Sequence, residues 1–106
     1  MVKRGDIWLV RLDPVKGSEI RKTRPCVVVS PAEMNDYLRT VIVAPMTTKG
    51  FPAPFRIPLI HAGKKGLALL DQLRTIDKTR LTRKRGAVSN ETLREILTTL
   101  RMVFEE

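Results

Sequence analysis

The sequence predicts a mainly β fold with helical additions (α+β): a small, strongly bent β-barrel followed by a C-terminal amphipathic helix. Three observations carry that prediction. Short apolar runs of strand length recur from Ile7 to Ile76, separated by turn-forming residues. A three- and four-residue apolar period holds over only one long segment, Leu93 to Phe104. A length of 106 residues suits one domain, 1–106, with a real but modest core.

The elements follow in order. Gly5-Asp6 leads into Ile7-Trp8-Leu9-Val10-Arg11-Leu12, a strand rich in β-branched and aromatic residues, and Asp13-Pro14 breaks it. Val15 to Thr23 reads as an exposed loop hinged at Gly17; it is longer than most hairpin connections, and such loops often carry function. The second strand is Cys26 to Ser30. Pro31 then suits the first turn of a short helix, with Ser30 as its N-cap, through about Tyr37. The third strand is Val41 to Met46, followed by a turn at Thr47-Thr48-Lys49-Gly50. Phe55 to Ile60 alternates, but Pro58 has no N–H to give to a ladder, which predicts an edge strand. Lys64-Lys65-Gly66 turns the chain into Leu67-Ala68-Leu69-Leu70, an unbroken apolar run expected in the core. Asp71-Gln72 closes that strand, and Leu73 to Ile76 extends or bends from it. Leu81 to Arg85 reads as a polar, basic connection. Ser89 caps the last helix, with Glu91 in its first turn where the helix dipole favours an acid. Leu93, Ile96, Leu97, Leu100, Val103 and Phe104 form its apolar stripe, which packs on the sheet or on a partner chain.

Composition narrows the function. No run approaches the roughly 18–20 apolar residues of a membrane span, and Met1 to Asp6 lacks the apolar core of a signal peptide. A cytoplasmic protein is expected. The single cysteine, Cys26, excludes an intramolecular disulfide and reads as a small buried residue of a Val-rich strand. The single histidine, His61, beside Ala62-Gly63, reads as an exposed turn residue, and Trp8 reads as core. With no Cys/His cluster there is no structural zinc site. Twenty basic residues against eleven acidic ones give a net charge of +9, which favours a polyanionic partner, either nucleic acid or an acidic protein segment. The charge is uneven: Arg74 to Arg85 holds six basic residues against Asp77 alone.

The second and third strands carry the sharpest chemical signal. Paired antiparallel, they bring Ser30 near Thr40 and Arg24 beside Thr47. A guanidinium fork and a hydroxyl at one sheet end suit phosphate oxygens. RNA cleavage needs no water nucleophile if the neighbouring 2′-hydroxyl attacks. The protein then supplies charge stabilisation, in-line geometry and help with two protons. Arg24 can stabilise the charge, and Thr47 can bond a phosphate oxygen or orient the attacking group. Neither needs a metal, which fits the lack of a magnesium-type carboxylate cluster. Arginine is a poor base, so Glu19 and Asp71 are the candidates to accept a proton or to orient Arg24. Gln72 and Arg74 could contact bases or phosphates.

Several blocks now stand in a specific order and spacing: Arg4-Gly5-Asp6-Ile7-Trp8, Leu12-Asp13-Pro14, Gly17-Ser18-Glu19, Arg24-Pro25 with Ser30-Pro31, Pro45-Met46-Thr47-Thr48, and Asp71-Gln72-Leu73-Arg74-Thr75-Ile76-Asp77. Through them the chain resembles, over nearly its full length, the MazF/PemK (Kid) family of toxin endoribonucleases from type II toxin–antitoxin pairs. The resemblance implies a bent, SH3-like barrel of the CcdB/PemK-like toxin type and a homodimer. It implies cleavage of single-stranded mRNA at short sequences, without metal or cofactor, leaving a 2′,3′-cyclic phosphate and a 5′-hydroxyl. The family's catalytic arginine and threonine fall on Arg24 and Thr47. Its RNA-contacting loop falls on Gly17, Ser18 and Glu19, and Thr48, Lys49, Gln72 and Arg74 are the further RNA-binding candidates. The implied protein partner is an acidic antitoxin whose tail occupies the RNA groove. Some members carry a histidine at the position of Ser18 and an arginine at that of Leu69, so a mechanism using those two groups does not transfer.

Two other readings differ in kind. A CcdB-like inhibitor of DNA gyrase would bind its target through the C-terminal helix and would not need Arg24 near Thr47. A non-catalytic RNA-binding module would use the Arg74–Arg85 stretch.

Overall fold

The protein is described by a computed structural model covering residues 1–12, 17 and 22–106. Ser18 and Glu19 lie outside the described residues. Along the chain come β1 (Asp6–Arg11), β2 (Thr23–Val28), the short helix α1 (Ala32–Asn35), β3 (Thr40–Thr47), β4 (Arg56–His61), β5 (Lys64–Leu69), β6 (Arg74–Asp77), β7 (Leu81–Ala87) and α2 (Asn90–Val103). Single 3-10 turns at Leu70–Gln72 and Lys78–Arg80 flank β6.

All strand pairs are antiparallel, and the curled sheet runs β4-β5-β3-β2-β1-β7, with β6 also on β3. Strand β3 is the pivot. One edge pairs with β2 from Val43 to Pro45. The other pairs with β6 from Thr40 to Val43 and then with β5 at Met46 and Thr47. The change of partner falls at Ala44-Pro45, where Pro45 has no amide hydrogen to offer.

Both faces of this sheet are covered, which explains why the run Cys26–Val29 is apolar at every position. Val27 and Val29 join Ile7, Ala44, Met46 and Ile96 of α2 in one cluster, while Cys26 and Val28 join Val10, Leu12, Val41, Val43 and Ile76 in the other. Successive strand side chains point to opposite faces, so a continuous run is what a doubly buried strand requires.

Several sequence expectations need correction. Leu81–Ala87 is a strand on the open edge of β1, not a connection. It carries no apolar alternation because all its residues but Leu81 are exposed. The β4–β5 turn is Ala62-Gly63, both with positive φ (52° and 76°), so Lys64–Gly66 are already strand. Positive φ at both central residues is the mirror-image hairpin turn, whose twist matches that of the strands. Ser30 does not cap α1. Its hydroxyl donates to Asn35 Oδ1 (2.6 Å) and accepts the Ile42 amide (3.0 Å), tying β3 to the helix from a buried position. By contrast, Ser89 caps α2 by accepting the Thr92 amide at 3.1 Å. Only Ile96 of the α2 stripe is fully buried; Val103 and Phe104 stay exposed.

Candidate active site

The β2–β3 register, Cys26 opposite Pro45, sets Arg24 across from Thr47 when carried two residues on. Both side chains line a cavity of about 300 Å³. Thr47 is gripped from its other side by β5, where it pairs with Leu67. Its Oγ1 accepts the Lys49 amide at 3.1 Å, which leaves the hydroxyl's own proton to be given elsewhere. Thr48 lines the same cavity, and Lys49 is exposed beside it.

Three further polar side chains complete the wall, and none was a site candidate from the sequence; His61, expected as an exposed turn residue, is instead the half-buried last residue of β4. His61 and Lys64 come from the two ends of the β4–β5 turn. Arg85 comes from β7, at a bulge: Ile7 pairs with Gly86 and Trp8 with Lys84, so Arg85 is the extra residue. A bulge re-aims a side chain that regular pairing would send elsewhere. With Arg24, Lys64 and Arg85 in the wall and no Asp or Glu lining it among the described residues, the cavity is suited to an anion. The sequence signal for Arg85 was only the basic run; for His61 there was none, because its position depends on where the hairpin turns.

The other predicted residues lie elsewhere. Asp71, in the 3-10 turn after β5, does not line the cavity. Its two carboxylate oxygens accept from Arg56 Nε (3.3 Å) and Nη2 (3.2 Å). The Arg56 guanidinium also sits 4.9 Å from the Phe51 ring centroid, a cation–π contact. Arg56 stands directly across the β4–β5 ladder from Leu69. Arg74 donates Nη1 to the Leu12 carbonyl at 2.5 Å, bracing the exit of β1. Gln72 is half-buried in the same 3-10 turn as Asp71. Gly17 is described as a turn residue with φ 62°. Cys26, next along β2 but one from Arg24, is fully buried; burial pushes its thiol pKa up to about 12, against the pull of Arg74 and Arg24. That is the behaviour of a packing residue, not of a nucleophile.

Comparison with known proteins bears directly on this geometry. The family described as PemK-like, MazF-like toxin of type II toxin-antitoxin system matches residues 3–104. The chain belongs to this family. It is 38% identical over 109 aligned residues to Endoribonuclease PemK of Escherichia coli, covering 93% of this chain and 82% of that protein. In structure it is similar to MazF from Deinococcus radiodurans (TM-score 0.85, 26% identity, 96% of this chain and 94% of the other). It is also similar to a chain of the MazE-MazF structure from the same organism in its second crystal form (TM-score 0.79, 26% identity, 96% and 94%). The mainly β PemK/MazF fold with its C-terminal helix is therefore the fold of this chain.

Proposed function

We propose that the Arg24–Thr47 cavity is the catalytic centre of this chain, an endoribonuclease toxin of the PemK/MazF family. The substrate is single-stranded mRNA. The 2′-hydroxyl attacks the adjacent phosphorus, leaving a 2′,3′-cyclic phosphate and a 5′-hydroxyl, with no metal taking part. The observation that carries this reading is the convergence of Arg24 and Thr47 in one cavity whose wall, among the described residues, is cationic and free of acids.

Each part has a physical task. Arg24 offers paired N–H donors to the non-bridging oxygens, where charge grows as the phosphorane forms. Thr47, its hydroxyl oriented by the Lys49 amide, donates to the same group or aligns the attacking oxygen. Lys64 and Arg85 hold flanking phosphates, and Thr48 and Lys49 extend the contact surface. Gly17, Ser18 and Glu19 reach the RNA from the β1–β2 connection. Asp71, Gln72 and Arg74 lie outside the cavity lining and enter this reading only as further RNA-contact candidates. The same basic face fits an acidic antitoxin, in keeping with the MazE-MazF structure among its structural relatives. The protein acts in the cytoplasm as a homodimer.

The test is cleavage of a mixed-sequence single-stranded RNA by purified protein in excess EDTA. Wild type cuts, and Arg24→Ala or Thr47→Ala loses about 10²–10³-fold or more. Intact RNA at every protein concentration would sink the reading. RNA affinity should also fall steeply with salt, with a log–log slope of about −0.7 per phosphate neutralised.

A further inference from the structure

Among the described residues, His61 is the one side chain of the cavity wall suited to exchange a proton. Of the polar groups there, Arg24, Lys64 and Arg85 are cations, and Thr47 and Thr48 are hydroxyls. Imidazole alone among these gives and takes a proton near neutral pH. Of the two carboxylates expected for this work, Glu19 lies outside the described residues, and Asp71 accepts from Arg56 through both oxygens and lies outside the lining. The ring is also incompletely satisfied: His61 Nε2 is buried and has no hydrogen-bond partner among the described residues. Buried polar nitrogens in proteins normally have partners, and one left without is a feature to be explained.

We infer that His61 takes the proton from the attacking 2′-hydroxyl, the RNA supplying the partner that Nε2 lacks; this rests on the Arg24–Thr47 cavity being the catalytic centre. The charged groups that share the cavity wall with the ring are Arg24 from β2, Lys64 from β5 and Arg85 from β7, with no acid among the described residues of that wall. The neutral imidazole is the form that adds no further positive charge to that wall, which suits acceptance rather than donation. The ring lies between the hairpin end and β7, its Cε1 against the space over Gly86. Nε2 is closed to solvent in this arrangement, so in this mechanism the His61 side chain or the hairpin end has to shift when RNA binds. The step balances: the 2′-oxygen bonds to phosphorus and its proton goes to Nε2. The P–O5′ bond breaks, and the departing oxygen keeps that electron pair and takes a proton from solvent. The imidazolium then returns its proton to solvent.

The experiment measures single-turnover cleavage of a DNA oligonucleotide carrying one ribonucleotide, from about pH 5.5 to 8, for wild type, His61→Gln and Arg24→Ala, with binding of the all-deoxy oligonucleotide alongside. His61→Gln should cut 10²-fold or more slowly near pH 7.5, within the range for loss of a general base. It should lose the wild-type rise of rate with pH and bind the all-deoxy strand within about threefold of wild type. A substrate with sulfur at the 5′ leaving position should not restore its rate, since sulfur relieves only the need to protonate the leaving group. Cleavage by His61→Gln within threefold of wild type, an unchanged pH profile, or rescue by the sulfur substrate would each overturn the assignment. If Arg24→Ala also cuts like wild type, the catalytic centre itself is misplaced; if Arg24→Ala is inactive while His61→Gln is active, only the role of His61 falls. Should His61→Gln melt early, His61→Asn enters the same comparison.

Discussion

Gly66 of β5 lies directly beneath Thr47: a β-carbon at position 66 would sit 2.8 Å from the Thr47 carbonyl oxygen. Real β-carbons do not approach backbone oxygen that closely, so any side chain there pushes β3 and β5 apart. The expected outcome for Gly66→Ala is a stability loss of about 1–3 kcal/mol with a disproportionate loss of RNA cleavage, tenfold or more, because the strand that moves carries Thr47. Denaturant melts and cleavage assays on the same preparation check this. Normal cleavage by a destabilised variant would mean that β5 does not set the position of Thr47.

The Arg56–Asp71 pair is partly exposed, with side chains 16% and 30% accessible. Solvent screening limits what such a pair contributes, so a double-mutant cycle with Arg56→Ala and Asp71→Asn should return a coupling of about 0.5–1 kcal/mol. The cation–π contact to Phe51 adds to the effect of Arg56→Ala alone. Full additivity in the cycle would show that the ion pair does not form in solution.

Cys26 gives a pH prediction. Burial pushes its thiol pKa up to about 12 in the folded chain, above its ordinary value of 9.0. Its contribution to stability is therefore intact below about pH 9 and is lost as pH rises toward 12, because the unfolded chain ionises first. The loss approaches about 1.4 kcal/mol per pH unit within that window. Cys26→Ala should flatten the alkaline limb of stability against pH, and the native thiol should resist iodoacetamide at pH 8. Rapid labelling of folded protein would contradict the burial.

The two ends of α2 should respond differently. Ile96 is fully buried among both halves of the sheet, and Ile96→Ala should cost about 2–5 kcal/mol. Phe104 is 74% exposed, and Phe104→Ala should stay within about 0.5 kcal/mol for the isolated chain. A concentration-dependent penalty at Phe104 would mark the end of the helix as a contact between copies.

The legible parts of this fold were those written in local periodicity. The doubly buried run Cys26–Val29, the Pro58 edge strand and the Ser89 cap each follow from rules that act within a few residues. The Arg24–Thr47 adjacency was legible because antiparallel pairing turns sequence spacing into spatial register. What escaped depended on the tertiary arrangement. β7 carries no apolar alternation, so its strand character comes only from β1 beside it. Arg85 enters the cavity through a bulge, which sequence spacing does not reveal. Asp71 finds Arg56 rather than Arg24 because the β4–β5 ladder and the turn after it carry it there.

The cavity wall is assembled from β2, β3, the β4–β5 hairpin and β7, segments spread across most of the chain. Strand β3 itself pairs backward with β2 and forward with β5 and β6. A chain emerging from the ribosome therefore has Arg24 and Thr47 long before it has the hairpin that supports Thr47 or the bulge that delivers Arg85. Contacts this distant in sequence form late. If the cavity cuts RNA as proposed, the order of synthesis is itself a restraint: the cutting site is complete only once β7 has been made.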